Sequence, residues 1–246
     1  MQNGVIEALR LLCLCGLGAW AWASPALDVG GVSETMASAQ SSLQKTVFNR
    51  GTSVAYVKVS VVEVLPEEKG ERELPEQEAS QVLASRDGLV VSPAHLVVPP
   101  KGSASVRLIH LGARDQERYF RVRFVPVQPQ QGDAFRLEQG EADAYRQSLS
   151  AGVRILAGFG VVTIVQPRAV RFDTVLEKRG TQHVLVNRGN SAVVLEDYEV
   201  CGPKGCVNAG RRKVFPGHTR VFPVHAGEKH RFQLREGHAR RQVELV

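Results

Sequence analysis

Residues 152–167, GVRILAGFGVVTIVQP, constrain the fold more than any other stretch of the chain. An apolar residue stands at every second position: Val153, Ile155, Ala157, Phe159 and Val161. Successive side chains of a β-strand leave opposite faces, so this alternation predicts one apolar face of an extended strand. The intervening row, which includes Leu156 and Val162, is also largely apolar. We therefore expect a strand that is covered on both faces and ends before Pro167.

Strand signals recur elsewhere, and helix signals are scarce. Residues 54–64, VAYVKVSVVEV, alternate in the same way. Further strands are predicted at 89–92, 105–111, 119–127, 181–186, 192–200, 220–224 and 231–234. Turn-forming residues separate them, which predicts an all-β fold of antiparallel sandwiches. The polar stretches 66–84 and 128–151 are predicted to be long connections, the second with a turn or two of helix around 141–149.

A domain boundary is predicted near Gln166–Arg168. Residues 24–166 carry enough strands for a complete seven-stranded sandwich, and residues 167–246 are enough for a smaller one. No convincing internal repeat is visible. The expected architecture is therefore two β-sandwiches joined by a short link that contains Pro167.

The first 23 residues read as a cleavable signal peptide. Arg10 supplies a positive charge, residues 11–22 form an apolar block, and Ala21 and Ala23 provide the small residues of a cleavage site. About 20 apolar residues are needed to span a bilayer, and this block is shorter. We expect cleavage after Ala23 and an exported, soluble mature protein.

Export determines how the cysteines are interpreted. Cys201 and Cys206 remain after signal cleavage, in the sequence CGPKGC, whose glycines and proline favour a tight turn. In an oxidising compartment this predicts a disulfide that closes a hairpin end. So small a loop contributes about 2 kcal/mol in the chain-entropy model. A redox or metal role is the weaker alternative, since the spacing is not CxxC.

Composition and motifs favour no enzyme. The net charge is +6, but the basic residues are scattered, which indicates a solvated surface rather than nucleic-acid binding. The GxSxG, HExxH, GxxxxGK[ST] and GxGxxG patterns do not occur in the sequence. The spacing of the C-terminal histidines fits no metal site. We expect no catalytic residue, no metal and no cofactor.

Several blocks, in order, resemble the periplasmic pilus-assembly chaperones of the chaperone–usher pathway, most closely the alternative branch that serves common-pilus fimbriae. The blocks are LDVGGV at 27–32, LVVSPAHLVVPPKGSASVRLIHL at 89–111, ERYFRVRFVPV at 117–127, VTIVQPR at 162–168, LVNRGNSAVVL at 185–195, the cysteine pair, and VFPGHTRVF at 214–222. The resemblance covers nearly the whole mature chain. It implies two immunoglobulin-like sandwiches in an L-shaped or boomerang arrangement.

The resemblance also implies a function. Such chaperones bind pilus subunits that lack a strand, supply that strand themselves, and pass the subunit to an outer-membrane usher. By this resemblance residues 152–163 are the donated strand, and the predicted groove-filling row is Val153, Ile155, Ala157, Phe159 and Val161. Self-association of the free protein is left open. The simpler alternative is an ordinary buried strand of its own sandwich, because alternation alone does not separate the two.

One family feature is missing from this sequence. In the better-known branch, an arginine on the first strand and a lysine late in the donated strand grip the subunit's terminal carboxylate. Val162 stands at the lysine position, and residues 24–44 contain no basic residue. The candidate replacements are Arg154, Arg168 and Arg171.

Two other function classes stay open. A pilus subunit or adhesin with an immunoglobulin-like fold is one, although the chain has a second domain and no short donor extension at its start. An exported carbohydrate-binding sandwich is the other. The only tryptophans, Trp20 and Trp22, lie in the predicted signal peptide, which disfavours it.

Overall fold

The computed structural model describes residues 24–67, 70–130, 134–135, 140, 143, 145 and 157–246. Up to Val165 the described elements are β1 (Leu27–Asp28), β2 (Ser33–Met36), β3 (Ser42–Asn49), β4 (Ala55–Glu67), β5 (Gly70–Glu73), α1 (Ala79–Ser85), β6 (Gly88–Ser92), β7 (His95–Val98), β8 (Ser103–Leu111), β9 (Arg118–Pro126) and β10 (Phe159–Val165). The remaining strands are β11 (Thr174–Arg179), β12 (Gln182–Asn187), β13 (Val193–Gly202), β14 (Gly205–Asn208), β15 (Arg212–Val214), β16 (Thr219–Pro223), β17 (Lys229–Glu236) and β18 (Ala239–Leu245). The predicted all-β class is confirmed.

The first sandwich packs two sheets against each other. One sheet has the order β1-β3-β8-β6, and the other has the order β2-β10-β9-β4-β5, with β7 also paired to β4. The β2–β10 pair is parallel, whereas the other described pairs of this sandwich are antiparallel. Side chains from both sheets, such as Val47, Leu108, Val57 and Phe124, form one core.

The second sandwich has its own core. Its sheets have the orders β11-β12-β16 and β14-β13-β17-β18, with β15 paired to β13. Phe222, Phe232 and Leu195 lie fully buried between them. The first core draws on residues between 27 and 165, and the second on residues between 172 and 245. The boundary near Gln166 stays a prediction, and it falls between these two sets.

Strand β9 shows how the sequence pattern becomes packing. Phe120, Val122 and Phe124 point into the first core and are at most 2% exposed. Each such side chain stabilises the fold by roughly 1.5–3 kcal/mol relative to an exposed position. Arg121 and Arg123 alternate with them on the outer face, where both bind Glu73 of β5. Strand β5 thus supplies a carboxylate to the charged row of β9, and the stretch predicted as a long connection contains β5 and most of α1.

One short motif, which we did not expect from the sequence, occurs in both sandwiches. NRGTS at 49–53 and NRGNS at 187–191 both follow a strand of a sandwich, and Asn49 and Asn187 are both buried. In each copy the asparagine amide donates to the carbonyl four residues on, at 2.7 and 2.9 Å. The N–H of the glycine two residues on donates back to the amide oxygen, at 3.0 and 2.9 Å. Each domain therefore contains the same loop, in which the asparagine amide hydrogen-bonds to the loop's own backbone.

The predicted disulfide is confirmed. Cys201 and Cys206 face each other across the β13–β14 hairpin and are bonded. In the second long connection, the described residues Gly140, Asp143 and Tyr145 are helical, and much of the expected helical segment lies outside the described residues. No helix in the described part of the chain is long and apolar enough to cross a membrane.

His110 is a buried polar group in the first sandwich. It lies on β8, 6% exposed, with its ring at 5.9 Å from that of Phe120. Within the described residues neither ring nitrogen has a hydrogen-bond partner. Burial, followed by the positive charges of Arg118 and Arg114, lowers the pKa of His110 to about 4, against the opposing charge of Asp87. The ring is therefore neutral in the folded protein near pH 7.

This burial predicts acid sensitivity. An unfolded histidine binds a proton below about pH 6.5, whereas folded His110 does so only near pH 4, so its contribution to stability is present above pH 6.5 and is lost as the pH falls toward 4. From pH 7 to pH 4.5, protonation linked to His110 should lower the free energy of unfolding of the wild type by roughly 2–3 kcal/mol. His110→Leu should not show this part of the decrease. Urea unfolding at both pH values measures it. The exposed His238, replaced by leucine, is the control, and an equal effect of both substitutions would contradict the assignment.

Candidate functional site

Strand β10 has one fully paired edge and one that is half paired. Along Phe159–Val165 it pairs antiparallel with β9. On the other side, β2 pairs only with Val162–Val165, in register with Ser33–Met36. Among the described residues, no strand pairs with residues 159–161 on that side. An open edge of this kind is a template for a strand from another chain.

The inner row of β10 belongs to its own sandwich. Val161 is fully buried in the first core, and Phe159 is half-buried and packed against it. Ala157 is exposed, and Val153 and Ile155 lie outside the described residues. Val161 was predicted to fill a partner's groove, and the structure does not support that role, because its side chain is already enclosed.

The outer row of β10 is nearly bare at the open end. Gly158 and Gly160 alternate there with the inner side chains. A Cβ at Gly160 would stand 3.4 Å from the Arg121 side chain, and one at Gly158 would stand 3.4 Å from the carbonyl oxygen of Phe124. Gly160 therefore lies next to the Arg121 side chain, which extends to Glu71 and Glu73 of β5.

Arg114 secures the other end of β10 and was missed from the sequence. Its side chain is 6% exposed and faces no carboxylate within hydrogen-bonding reach among the described residues. The guanidinium instead donates to four backbone carbonyls: those of Gln166 at 2.7 Å, Ala37 at 2.9 Å, Met36 at 3.2 Å, and Gln40. Burial lowers the pKa of Arg114 from its usual value, and the nearby Arg168 adds to this. One side chain therefore joins the end of β2, the turn after it and the start of the linker.

Asn190 joins the same region to the second domain. Its amide nitrogen donates to the carbonyls of Asp115 at 3.0 Å and Ala169 at 2.8 Å, and its amide oxygen accepts from the N–H of Arg171 at 2.7 Å. The N–H of Glu117 donates to the Asn190 carbonyl at 2.9 Å. The loop that carries Arg114 is thereby bonded to both the linker and the second domain.

A cleft of about 190 Å³ lies between the two domains, and we call it the basic cleft. Its first wall includes Thr35 of β2 and Ile164 of β10. The second wall carries the cations Arg211, Lys213 and Arg235. Both arginines are engaged by Glu196, at 3.7 and 2.8 Å. The Lys213 ammonium makes no ion pair or hydrogen bond with any described residue, and it is therefore available to a ligand.

Electrostatics single out Lys213 further. Desolvation lowers the pKa of Lys213, and the positive charges of Arg211 and Arg235 lower it as well. The negative charge of Glu117 acts in the opposite direction. Glu117 is itself bound by the Tyr119 hydroxyl, which donates to it at 2.5 Å. Burial, followed by the Glu117 charge, raises the pKa of Tyr119, so the hydroxyl stays protonated. The Glu117 carboxylate also lines the basic cleft, so an anion that entered it would meet this acidic group as well as the cations Arg211, Lys213 and Arg235.

The predicted anchor residues fare differently. Arg154 lies outside the described residues. Arg168 is exposed, and its N–H donates to the Arg114 carbonyl at 2.9 Å. Arg171 is engaged by Asp173 at 3.4 Å and by the Arg188 carbonyl at 3.1 Å. Lys213, which the sequence did not single out, lies far from this stretch in the chain and reaches the cleft only through the domain packing.

Comparison with known proteins fits this geometry, although no family model matches the chain. It is 28% identical over 223 residues to a probable fimbrial chaperone EcpB of Klebsiella pneumoniae subsp. pneumoniae, covering 87% of this chain and 88% of the relative. It is also 28% identical over 209 residues to the probable fimbrial chaperone EcpB of Escherichia coli O1:K1, covering 80% and 81%. The chain is similar to fimbrial chaperones over most of its length. The resemblance seen in the sequence blocks is confirmed.

Solved structures establish the same fold. The class 5 fimbriae chaperone CfaA superposes with a TM-score of 0.65 at 17% identity, covering 90% of this chain and 99% of that one. A chain in a chaperone–tip adhesin complex of CFA/I fimbriae biogenesis gives 0.62 at 16%, covering 89% and 97%. Such identities carry the fold alone, which is that of two immunoglobulin-like β domains.

The Arg114 contacts generate a stability prediction. Arg114→Met leaves four backbone carbonyls without this donor, so the free energy of unfolding should fall by about 2–4 kcal/mol. Urea unfolding measures the change. Arg107→Met removes an exposed arginine from the preceding strand and should cost less than about 0.5 kcal/mol. A similar decrease in the free energy of unfolding for both variants would show that the Arg114 hydrogen bonds do not stabilise this region.

Proposed function

We propose that this chain is a periplasmic chaperone that binds fimbrial subunits by lending them the open edge of β10. The observation that carries the proposal is the half-paired edge at residues 159–161, in a chain similar to fimbrial chaperones. Residues 1–23 direct export and are removed. The bound subunit is then released to an outer-membrane usher. The protein acts by binding alone, without catalysis or a cofactor.

The open edge supplies the first part of the interaction. A subunit strand laid beside residues 159–161 and the chain before them exchanges main-chain hydrogen bonds with β10 and extends the six-stranded sheet. These bonds do not depend on the subunit's sequence. They account for how one chaperone can hold a subunit whose own sheet is unfinished.

Side chains supply the second part. Continuing the alternation upstream of Val161 assigns Val153, Ile155 and Ala157 to the row that enters the subunit's groove, with Phe159 where that groove meets the chaperone's own core. Burying each of the larger side chains gains roughly 1.5–3 kcal/mol, from which ordering costs are subtracted. The same row thus contributes to two cores. Residues after Phe159 pack in the chaperone's own core, and residues before it enter the core of the subunit.

The basic cleft supplies the third part. We assign the anchoring of the subunit's terminal carboxylate to Lys213, in place of Arg154, Arg168 and Arg171. The Lys213 ammonium lacks an ion-pair or hydrogen-bond partner among the described residues, so it can pair with a carboxylate that reaches the cleft. The cleft adjoins the end of β10, since Ile164 forms part of its wall.

The donor row is tested by a pair of neighbouring substitutions. Ile155→Asp places a charge in the row assigned to the subunit's groove, so it should weaken capture at least about tenfold. Leu156→Asp places the same charge in the opposite row and should leave more of the capture intact. Co-expression with fimbrial subunits from the same gene cluster, followed by pull-down, measures both. Undiminished capture by Ile155→Asp would refute strand donation at this row.

The proposed anchor is tested by removing the charge of Lys213 and, as a control, that of another lysine. Lys213→Met should weaken subunit capture about tenfold, because it removes a charge-assisted contact to the carboxylate. Lys204→Met, at the exposed β13–β14 turn, is the matched control. Pull-down at low and high salt compares the variants. If Lys213→Met binds as tightly as Lys204→Met, the carboxylate is held elsewhere, while strand donation itself is unaffected.

A further inference from the structure

A second recess adjoins the basic cleft, and we call it the junction pocket. It has a volume of about 340 Å³. Its lining is mostly apolar and comes from Val64, Pro66, Tyr119, Val162 and Phe215, with Gly70, Glu71 and Lys213 completing it. A cavity of about 150 Å³ holds a benzene ring, so the junction pocket has room for any apolar side chain.

Both domains build the junction pocket. Val64 and Tyr119 are direct partners across β4 and β9, and Val162 stands on β10 beside them on the outer face of the same sheet. Phe215 comes from the second domain, and its ring packs edge-on against Tyr119 with centroids 5.1 Å apart. The floor of the pocket is therefore a sheet face, and one wall is an aromatic ring from the other sandwich.

The charges around the junction pocket define what it can hold. Glu71 is bound by Arg121, so its charge is already matched. Lys213 has no ion-pair partner in the described part of the chain, and it lines both the junction pocket and the basic cleft. A ligand here meets apolar surface and a positive charge side by side. The complementary group is an apolar side chain next to a carboxylate, which is the last residue of a polypeptide.

The position of the pocket agrees with such an occupant. Val162 immediately follows the open edge at residues 159–161, and it is the first residue of β10 that β2 pairs. A guest strand on the open edge meets the start of β2 there and has to leave the sheet plane. The outer face at that point is the junction pocket.

We propose that the junction pocket receives the side chain of the C-terminal residue of a captured subunit and selects for an apolar one. This inference rests on the proposed function and adds to it a preference among subunits. A polar end residue would leave its own groups unpaired against Val64, Val162 and Phe215, which disfavours it. The discrimination between a large and a small apolar end residue should be about tenfold or more.

The test uses short synthetic peptides and variants that reshape the pocket. The peptides share an alternating threonine–valine sequence and end in phenylalanine or alanine with a free carboxylate, or in phenylalanine amide. Val162→Phe fills the pocket, and Val162→Ala enlarges it. Val125→Phe adds the same ring at an exposed position of β9 outside the pocket. Nuclear magnetic resonance titration gives the dissociation constants, and thermal unfolding checks each variant.

The expected outcome is a preference that the pocket controls. Wild type and Val125→Phe should bind the phenylalanine acid about tenfold more tightly than the alanine acid, and Val162→Phe should abolish that difference. Val162→Ala should keep it. Equal binding of the two acids by wild type, or no binding at millimolar concentration, would overturn the inference. Subunit pull-down by wild type decides the proposed function separately, since it depends on the whole edge.

Discussion

The chain's crossing between sheets is the constraint from which the site follows. β1 pairs with β3 in the four-stranded sheet, and β2 pairs with β10 in the six-stranded one. Residues 29–32 make the crossing, with Gly30 at a φ of 63° and its N–H donating to Asp28 at 2.8 Å. Because the crossing uses these residues, β2 begins only at Ser33. Within the part of the chain that the structure describes, the first residues of β10 therefore have no partner strand on that side.

Such an edge can pair with another chain, and the other end of the same strand is held in place. Arg114 provides that hold at the opposite end, where its guanidinium binds carbonyls of β2, the following turn and Gln166. Burying a cation is costly, and the hydrogen bonds to four carbonyls offset the cost. The strand is thus fixed at its C-terminal end and open at its N-terminal end, so a guest can pair without displacing a native strand.

The sequence predicted those strands in which apolar and polar residues alternate. Alternation identified β4, β9 and β10, and the turn residues located CGPKGC as a hairpin end. Alternation did not tell which core an inner residue serves, and so Val161 was assigned to a guest although its own core encloses it. Which core encloses Val161 depends on where the facing sheet lies, which is a property of the packing.

Other features of the structure have a weak signal in the sequence or no signal at all. Arg114 binds backbone carbonyls, which every residue carries, so no partner residue in the sequence points to it. Lys213 is distant in the chain from β10 and becomes relevant only when the domains pack. The NRGTS and NRGNS loops differ by one residue and were visible to a direct comparison of the chain with itself, but five residues in 246 carry little weight before their shared hydrogen bonds are known.

The domain junction matters to the proposed function, in which a subunit contacts the first sandwich at β10 and the second sandwich at Lys213. The open edge belongs to the first sandwich and Lys213 to the second, so the distance between them depends on how the domains are fastened. Asn190 binds the loop that carries Arg114, the linker and its own domain through both ends of its amide. A junction fixed before binding loses less freedom when the guest arrives, so more of the contact energy appears as affinity. The same fastening keeps Phe215 against Tyr119, and the wall of the junction pocket therefore exists before any subunit reaches it.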